Sequence, residues 1–221
     1  MPSALIIGAS RGIGLGLTQE LRSRGWDVVA THRSAAPALA ATGARLAQVD
    51  IDDGETVAAL ARSLAGESFD HVLINAGIIG DRADTASNVS REALAQLFWT
   101  NAIAPVRTAR LLLPLVKDGG SIGFMTSILG SVAGRQSGWA ELYSASKAAL
   151  NSLTRGFAVQ DVGNRPVAIL NLHPGWVKTD MGGDGADIDV ATSVKGLADV
   201  IAAARPPGQR YLDYTGATIP W

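Results

Sequence analysis

The first fourteen residues of the chain limit its possible folds more than any other segment. Residues 4–7 form a continuous apolar run, and residues 8–14 hold three glycines in seven positions. Such a run is typical of a strand that is covered on both faces in a parallel sheet. Apolar residues then recur at helical spacing until Gly25 ends the pattern. The sequence therefore predicts a strand, a glycine turn and a helix, in that order.

The glycine turn has the composition of a phosphate-binding loop. Glycines let the backbone turn tightly and approach a ligand, while free N–H groups at a helix start attract a pyrophosphate. The alternative is a strained turn in which the glycines serve only the backbone. The strand before the turn and the helix after it favour phosphate binding. The candidate residues are Gly8, Ser10, Arg11, Gly12, Ile13 and Gly14.

Apolar runs and helical patterns alternate along the rest of the chain. Strands are predicted at 27–31, 45–49, 71–74, 121–126 and 167–172, with an edge strand at 209–212. One helix is predicted to start at a capping pair, Asp52 and Glu55. A longer helix is predicted to start at Ser90 and to kink at Pro105. This alternation indicates a single doubly wound Rossmann-type α/β domain over residues 1–221, with a central parallel sheet of about seven strands flanked by helices.

The composition excludes several classes of function. A net charge of -1 gives no field that would attract nucleic acid or a membrane surface, so we expect neither as a partner. Cysteine is absent and the three histidines are far apart in the chain, so we expect no metal site. The apolar run before Gly8 is too short for a signal peptide or a membrane span, which predicts a cytoplasmic protein.

The residues after the second predicted strand bear on the choice of nucleotide. In dinucleotide-binding folds an acidic residue here binds a ribose 2′-hydroxyl, whereas a basic residue accommodates a 2′-phosphate. The sequence has His32, Arg33 and Ser34 at this point, and no acid. We therefore predict that Arg33, helped by Arg11, binds a 2′-phosphate with charge-assisted hydrogen bonds. The alternative is a solvated surface arginine.

Three polar side chains are predicted either to contribute to a ligand site or only to hydrogen-bond backbone groups. Asp50, at the end of the third strand, is predicted to accept a hydrogen bond from an adenine, the alternative being a turn-stabilising aspartate. Asn75, followed by Ala76 and Gly77, is predicted to hold a strand edge or to contact a cofactor. Asn101 lies in an apolar helical pattern, where it either satisfies backbone groups or serves a site.

A serine, a tyrosine and a lysine in the second half of the chain form a candidate proton-transfer group. Tyr143 and Lys147 are four residues apart in a helical pattern, so they share one face. A nearby cation stabilises a phenolate, so we expect the Tyr143 pKa to fall below its usual value of about 10. Ser127 follows the fifth strand and is placed to hydrogen-bond a carbonyl oxygen. The alternative is an ordinary amphipathic helix with an exposed tyrosine and lysine.

The ordered set of these motifs resembles the short-chain dehydrogenase/reductase family over nearly the whole chain. The set is Gly8-x-x-x-Gly12-x-Gly14, Asn75-Ala76-Gly77, Asn101, Ser127, Tyr143-x-x-x-Lys147 and Pro174-Gly175. Residues 171–181 look most like the C-factor and sniffer-type carbonyl reductase branch. One departure is the sixteen-residue separation of Ser127 and Tyr143, which is wider than usual and predicts an inserted loop over the site.

This resemblance implies an NADP(H)-dependent oxidoreductase that reduces a ketone or aldehyde to an alcohol. By the resemblance, Tyr143 is the general acid and Lys147 binds the nicotinamide ribose and lowers the Tyr143 pKa. Ser127 orients the carbonyl group, and Asn101 holds a water that connects Lys147 to solvent. Further cofactor contacts implied by the resemblance are Pro174, Gly175, Val177 and Thr179.

The predicted substrate pocket is apolar. A short glycine-rich segment follows Thr179 and predicts a small mobile lid. The expected lining favours an apolar or aromatic carbonyl compound, although the tryptophans have packing as an alternative role. The lining residues are Ile128, Leu129, Trp139, Trp176 and Met181.

The sequence also leaves two alternative functions open, and it predicts self-association. A C-factor-like chain can act as a cofactor-binding signalling protein, although a pure sensor needs no proton relay. An NAD-linked alcohol dehydrogenase is the other reading, which the missing acid after the second strand disfavours. Only 18% of the residues are charged, and the helical segments around 111–113 and 148–153 are apolar, so we expect a homodimer or homotetramer.

Overall fold

A parallel sheet of seven strands forms the centre of the computed structural model, which describes residues 1–203 and 206–221. The strands are β1 (Ser3–Ile7), β2 (Asp27–His32), β3 (Arg45–Gln48), β4 (Phe69–Ile74), β5 (Val116–Met125), β6 (Ala168–His173) and β7 (Gly208–Asp213). Their order across the sheet is β3-β2-β1-β4-β5-β6-β7, and each neighbouring pair is parallel. The predicted fold class and the edge strand near residue 210 are confirmed.

Helices cover both faces of this sheet. They are α1 (Gly12–Ser23), α2 (Pro37–Ala40), α3 (Gly54–Ser63), α4 (Arg91–Phe98), α5 (Ala104–Leu112), α6 (Glu141–Phe157) and α7 (Val190–Ala202). Two π-helical segments, Trp99–Ile103 and Ala158–Val162, follow α4 and α6. Short 3₁₀ turns occupy Leu113–Leu115 and Ile128–Gly130. Among the helices of the described residues, none is both long enough and apolar enough to cross a membrane.

Two apolar cores, one on each face of the sheet, hold these layers together. Along β1, Leu5 and Ile7 belong to the core beneath α3, α5 and α6, whereas Ala4 and Ile6 belong to the core beneath α1 and α7. All four side chains are completely buried. Burial of each large apolar side chain contributes about 1.5–3 kcal/mol. The continuous apolar run therefore fixes β1 in the centre of the sheet, where its carboxyl end meets the glycine turn.

The N-cap of helix α3 lies one residue later than Asp52, the residue predicted to cap it. Its N-cap is Asp53, whose side chain accepts a hydrogen bond of 2.9 Å from the Glu55 N–H. The N–H of Asp53 still bonds the Asp50 carbonyl at 3.1 Å, so the chain is in a turn at Asp52. The Asp52 carboxylate instead accepts hydrogen bonds from the side chains of Gln96 and Thr100, at 2.9 and 2.8 Å. The prediction of Asp52 as the N-cap was wrong because Asp52 lies in the turn before the helix and its carboxylate binds Gln96 and Thr100.

The long helix that starts at Ser90 contains a π-helical segment just before Pro105. Ser90 caps α4 as predicted, since its hydroxyl accepts a hydrogen bond of 3.1 Å from the Ala93 N–H. Pro105 has no N–H to offer the Asn101 carbonyl four residues earlier. The Ala104 N–H bonds the Trp99 carbonyl, which is a wider turn than an α-helix allows. The irregularity predicted at Pro105 therefore takes the form of a π segment that contains Asn101.

Candidate active site

The carboxyl ends of β1 and β4 lie side by side where the strand order reverses. From β1 the chain continues to β2 and β3 on one side, and from β4 it continues to β5, β6 and β7 on the other. Ligands of open α/β sheets bind in the crevice at such a switch point. The glycine turn follows β1, and the segment with Asn75 and Gly77 follows β4. The fold therefore brings two of the predicted motifs to one edge.

Close packing requires glycine at both ends of the turn. Gly8 has a φ of +89° and Gly12 a φ of +53°, in the left-handed region that favours glycine. A Cβ atom on Gly8 would lie 2.8 Å from the Ala76 nitrogen. On Gly14 it would lie 2.2 Å from the Gly8 carbonyl oxygen. These glycines let β1, β4 and α1 approach one another more closely than side chains would allow.

The start of α1 is open to an anion. Its N-cap residue is Arg11, whose side chain forms no capping hydrogen bond, and the first turn holds no acidic residue. The first N–H groups of a helix need partners from outside the helix. Because the helix dipole adds positive character there, these groups suit a phosphate. Ser10 and Ile13 lie on either side of this opening turn.

Asn75 ties the glycine turn to β4. Its side-chain amide donates a hydrogen bond of 2.7 Å to the Gly8 carbonyl, and its backbone N–H bonds the Ile7 carbonyl at 2.9 Å. The role of holding the strand edge is therefore present in the structure. Gly77 lies against the next group of polar atoms, because a Cβ there would be 3.2 Å from Asn101 Oδ1 and 3.3 Å from Lys147 Nζ.

Asn101 is completely buried and its side chain is fully engaged. It accepts a hydrogen bond of 2.9 Å from the Ile78 N–H and donates to the Ile78 carbonyl at 2.8 Å. It also donates to Ser146 Oγ on α6 at 3.0 Å. The side chain therefore joins the segment after β4 to α6. Pro105, four residues later, cannot donate the α-helical hydrogen bond to the Asn101 backbone carbonyl.

Tyr143, Ser127 and Lys147 come together at the carboxyl end of β5. All three are buried, with 9%, 8% and 4% of their surface exposed. The Ser127 side chain is a hydrogen-bonding partner of the Tyr143 phenol. Lys147 Nζ lies 5.7 Å from the centre of the Tyr143 ring and donates to the Met125 carbonyl at 3.0 Å. The phenol, the hydroxyl, the ammonium group and the Asn101 amide therefore form one cluster.

The Tyr143 pKa moves in the direction opposite to the predicted one. Burial raises the pKa of Tyr143 to about 12, and the hydrogen bond with Ser127 offsets only part of this effect. Burial also lowers the pKa of Lys147 to about 8. The Lys147 ammonium bonds a backbone carbonyl and not the phenol, so it does not outweigh the loss of water around Tyr143. Tyr143 is therefore neutral near pH 7 and carries a proton that it can donate.

The residues predicted to recognise the nucleotide differ in whether a protein group already binds their side chains. Arg11 forms an ion pair of 2.8 Å with Asp180, and both side chains are mostly exposed. Arg33 is exposed and forms no ion pair within the described part of the chain. The Asp50 carboxylate accepts a hydrogen bond of 3.1 Å from the Asp52 N–H, so its turn-stabilising alternative is present. Their contacts with a nucleotide remain predictions.

A cleft of about 560 Å³ opens beside Tyr143 and Ser127. Every residue predicted to line the substrate pocket lines it, namely Ile128, Leu129, Trp139, Trp176 and Met181. Four predicted cofactor contacts, Pro174, Gly175, Val177 and Thr179, line the same cleft. The Trp176 indole donates a hydrogen bond of 3.0 Å to the Gly182 carbonyl, which folds the segment after Thr179 back over the cleft. One continuous cleft thus joins the nucleotide side to the predicted substrate side.

Several lining residues carried no signal that we recognised in the sequence. They are Ile79, Arg82, Ser137 and His173. Burial lowers the pKa of His173 to about 4, so this side chain is neutral at pH 7. Arg82 reaches the cleft from the loop after β4, a segment whose course depends on tertiary contacts. No group of acidic and histidine side chains with the form of a metal site occurs in residues 1–203 and 206–221.

A network of buried polar side chains behind Ser127 was also missed. The Tyr211 hydroxyl on β7 donates a hydrogen bond to the Ser127 carbonyl. Asn151 on α6 donates to the Gly130 carbonyl at 3.1 Å and accepts from Thr126 Oγ1 at 2.9 Å. Asn171 donates to Asn151 Oδ1 at 3.0 Å. The one sequence signal for this network was the polar Asn171 inside an otherwise apolar strand.

Comparison with known proteins agrees with this geometry. The family model for short chain dehydrogenases matches residues 2–187. C-signal of Myxococcus xanthus is 34% identical over 166 residues, which are 74% of this chain and 99% of that protein. A carbonyl reductase from Pseudomonas aeruginosa PAO1, solved in complex with NADP, is 39% identical over the whole of both chains, with a TM-score of 0.92.

The resemblance extends to the predicted branch. Carbonyl reductase Sniffer of D. melanogaster is 29% identical and aligns over the whole of both chains with a TM-score of 0.89. Together with the similarity to C-signal, this confirms the predicted resemblance to C-factor and sniffer-type proteins. The chain belongs to the short-chain dehydrogenase family.

Proposed function

We propose that this protein is an NADP(H)-dependent reductase of ketones or aldehydes, with Tyr143 as the proton donor. The observation that carries the proposal is the neutral, buried Tyr143 phenol, hydrogen-bonded with Ser127 at the wall of an apolar cleft. The cleft continues to residues near the glycine turn, so a nucleotide and a carbonyl compound have room at opposite ends. Membership of the short-chain dehydrogenase family supports the same reaction class.

The residues of the glycine turn fit a dinucleotide. Gly8 and Gly14 leave no room for a side chain, and the uncapped start of α1 offers N–H groups to a pyrophosphate. Arg33 has no ion-pair partner among the described residues, which leaves its guanidinium free for a 2′-phosphate. The related carbonyl reductase from Pseudomonas aeruginosa was solved with NADP. When bound, this cofactor supplies the hydride that reduces the carbonyl carbon.

Around the reacting carbonyl, each protein residue has a separate task. The Ser127 hydroxyl and the Tyr143 phenol hold the carbonyl oxygen between two hydrogen bonds. As negative charge develops on that oxygen, Tyr143 donates its proton. Lys147 lies beside the phenol and stabilises it electrostatically after the transfer. The Asn101 carbonyl, to which Pro105 cannot donate, binds a water through which a proton returns to the site.

At pH 7 the protonation state of Tyr143 suits reduction. With a pKa of about 12, the phenol is protonated at pH 7, which is the form required to donate a proton. Oxidation of an alcohol needs the phenolate as a base, and burial disfavours that form. An NAD-linked alcohol dehydrogenase is disfavoured because no acidic residue follows β2.

Substitution of Tyr143 by Phe tests the proposal directly. General acid catalysis contributes roughly 10²- to 10⁴-fold, so we expect Tyr143→Phe to lower kcat for aromatic ketones by about that factor. Binding of NADPH, measured by fluorescence titration, should change by less than about threefold, since the lost hydroxyl makes no phosphate contact. Wild-type protein that binds NADPH but reduces none of a broad set of ketones and aldehydes would contradict the proposal.

A signalling function is the second candidate because of the similarity to C-signal. Here the output would depend on bound nucleotide and not on turnover. The two functions separate in the Tyr143→Phe variant, which keeps the nucleotide site and removes the proton donor. A biological output that survives in this variant favours signalling, whereas an output lost together with turnover favours the reductase.

A further inference from the structure

Arg82 is the exception in a cleft that is otherwise lined by apolar and neutral side chains. Among the lining residues it alone carries a charge near pH 7, because His173 is neutral there. Apolar side chains such as Ile128 and Met181 make up much of the remaining surface. Arg82 is exposed, so water solvates its charge at the cleft.

Within residues 1–203 and 206–221, Arg82 has no carboxylate partner within ion-pair distance. Arg11, in the glycine turn, is paired with Asp180 at 2.8 Å, so the two arginines differ. The contacts of Arg82 are the face of the Trp139 ring, 5.5 Å from its guanidinium carbon, and the Met181 carbonyl, to which it donates. Neither contact carries a full negative charge.

These two contacts orient the guanidinium without using all its donors. A guanidinium carries five N–H groups, of which the Met181 carbonyl takes one. Stacking on an indole leaves the edge of the group free, and two parallel N–H bonds from that edge match a carboxylate. Arg82 is therefore held in place at the cleft with donors available for an anionic group.

We propose that the substrate is an oxo acid: a carbonyl compound whose apolar body also bears a carboxylate, which Arg82 binds. This inference rests on the proposed reductase function and narrows its substrate class. With the carbonyl oxygen at Ser127 and Tyr143, the apolar lining contacts the body of the substrate, and Arg82 contacts its far end. The expectation of an apolar or aromatic substrate is thereby refined, since the body stays apolar and one end is charged.

Arg82 is exposed to solvent, which limits the size of the effect. Exposed ion pairs are screened by water and salt, so the preference for the acid should be modest and should shrink as ionic strength rises. An exposed contact of this kind corresponds to roughly two- to fivefold in kcat/KM.

Paired substrates that differ only in charge provide the test. We would measure kcat/KM for 4-acetylbenzoate and 5-oxo-5-phenylpentanoate, each beside its methyl ester, with NADPH and the full chain. For at least one pair, the wild type should prefer the acid by roughly two- to fivefold at low salt. In Arg82→Gln the ratio of acid to ester should fall to about one, while Arg82→Lys should keep part of the preference. Circular dichroism verifies that both variants fold.

Arg135→Gln is the matched control. Arg135 lies in a neighbouring loop, where it donates to the Ser137 carbonyl at 2.8 Å, and it does not line the cleft. This variant loses the same charge and should keep the wild-type ratio. An equal loss with acid and ester in Arg82→Gln would show that Arg82 only ties Trp139 and Met181 together, and would overturn the inference.

The remaining outcomes separate this inference from the proposed function. Reduction of the esters with no preference for either acid overturns the oxo acid assignment and leaves the reductase intact. Failure to reduce the acids, the esters and simple aryl ketones alike, with NADPH bound, contradicts the reductase itself and the inference with it.

Discussion

At the Tyr143 phenol, burial and hydrogen bonding act in opposite directions, and burial is the larger effect. The pKa rises to about 12 even though Ser127 lowers it. Lys147 experiences the same loss of water with the opposite sign, and its pKa falls to about 8. Desolvation thus favours the neutral form of both groups. At pH 7 the phenol therefore keeps its proton, and burial of the Lys147 ammonium costs folding free energy.

The cost of burying the Lys147 charge predicts a pH-dependent stability. Because its folded pKa of about 8 lies below the ordinary value of 10.5, the unfolded chain binds more protons between these values. Stability therefore rises as the pH increases from 8 to 10.5. At pH 7 we expect Lys147→Met to be roughly 1–3 kcal/mol more stable than the wild type, and this difference to vanish near pH 10.

Urea unfolding of both proteins between pH 7 and pH 10 measures this difference. Lys195→Met, on the exposed side of α7, serves as the control and should follow the wild type at each pH. A constant difference between Lys147→Met and the wild type across the range would contradict the account. Tyr143 titrates in both proteins at higher pH, so comparing them isolates Lys147.

We expect Tyr211 to act as a positioning residue for Ser127. Its hydroxyl bonds the Ser127 carbonyl, and its ring packs against Trp221 with 5.2 Å between centroids. Tyr211→Phe keeps the ring and removes one of two hydrogen bonds to the Ser127 carbonyl, which still accepts from the Gly130 N–H at 2.9 Å, at a cost of about 0.5–1.5 kcal/mol. We expect kcat to fall about tenfold while the KM for NADPH stays constant, because the loss misplaces Ser127 alone.

The control for Tyr211→Phe is Tyr214→Phe. Within the described part of the chain the Tyr214 hydroxyl has no hydrogen-bond partner, so its removal should change neither kcat nor stability. Equal values of kcat in Tyr211→Phe and the wild type would show that the contact does not position Ser127.

At the scale of elements, the strands were easier to predict from the sequence than the junctions between them. The apolar runs located β1, β2 and β6 because each is buried on both faces. β5 was predicted to start at Ser121 but begins at Val116. The first half of β5 contains Gly119 and Gly120, and glycine is a poor strand former, so the sequence did not predict a strand there. In the structure, the pairing of this half with β4 is irregular.

Glycines of two helices give a matched pair of predictions at this scale. A Cβ on Gly14 of α1 would overlap the Gly8 carbonyl at 2.2 Å, whereas Gly156 of α6 has open space around it. We expect Gly14→Ala to abolish NADPH binding and to lower the melting temperature. Gly156→Ala should raise stability by up to about 1 kcal/mol, as in an exposed helix, and leave binding unchanged. Calorimetry and nucleotide titration measure both effects, and normal binding by Gly14→Ala would contradict them.

Those residues of the candidate site that belong to short sequence motifs could be predicted from the sequence. Tyr143 and Lys147 are one helical turn apart, so spacing alone placed them on one face. Arg82 and Tyr211 were missed because their roles depend on partners far along the chain. The Tyr211 hydroxyl bonds a carbonyl 84 residues away, and Arg82 bonds one 99 residues away. Local pattern carries no information about such pairs.

For the whole molecule, the apolar residues left on the surface predict self-association. Leu111 on α5 and Leu153 on α6 are exposed to 37% and 38%, and Val159 in the following π segment to 68%. We expect a homodimer or homotetramer that buries these side chains. Leu153→Glu should lower the mass measured by light scattering, whereas Val132→Glu, in the loop after Ser127, should not. A monomeric wild type at high concentration would contradict this prediction.

At the scale of the reaction, the proposed step is the transfer of a hydride from NADPH to a carbonyl compound. Transfer of a deuterium label from the nicotinamide C4 to the product measures this step most directly. Protein incubated with an aryl oxo acid and NADPH deuterated at the nicotinamide C4 should yield an alcohol that carries the label on the former carbonyl carbon. Tyr143→Phe should bind the same nucleotide and yield almost no labelled alcohol. Nucleotide binding without labelled product from any oxo acid, ketone or aldehyde in the wild type would contradict the account.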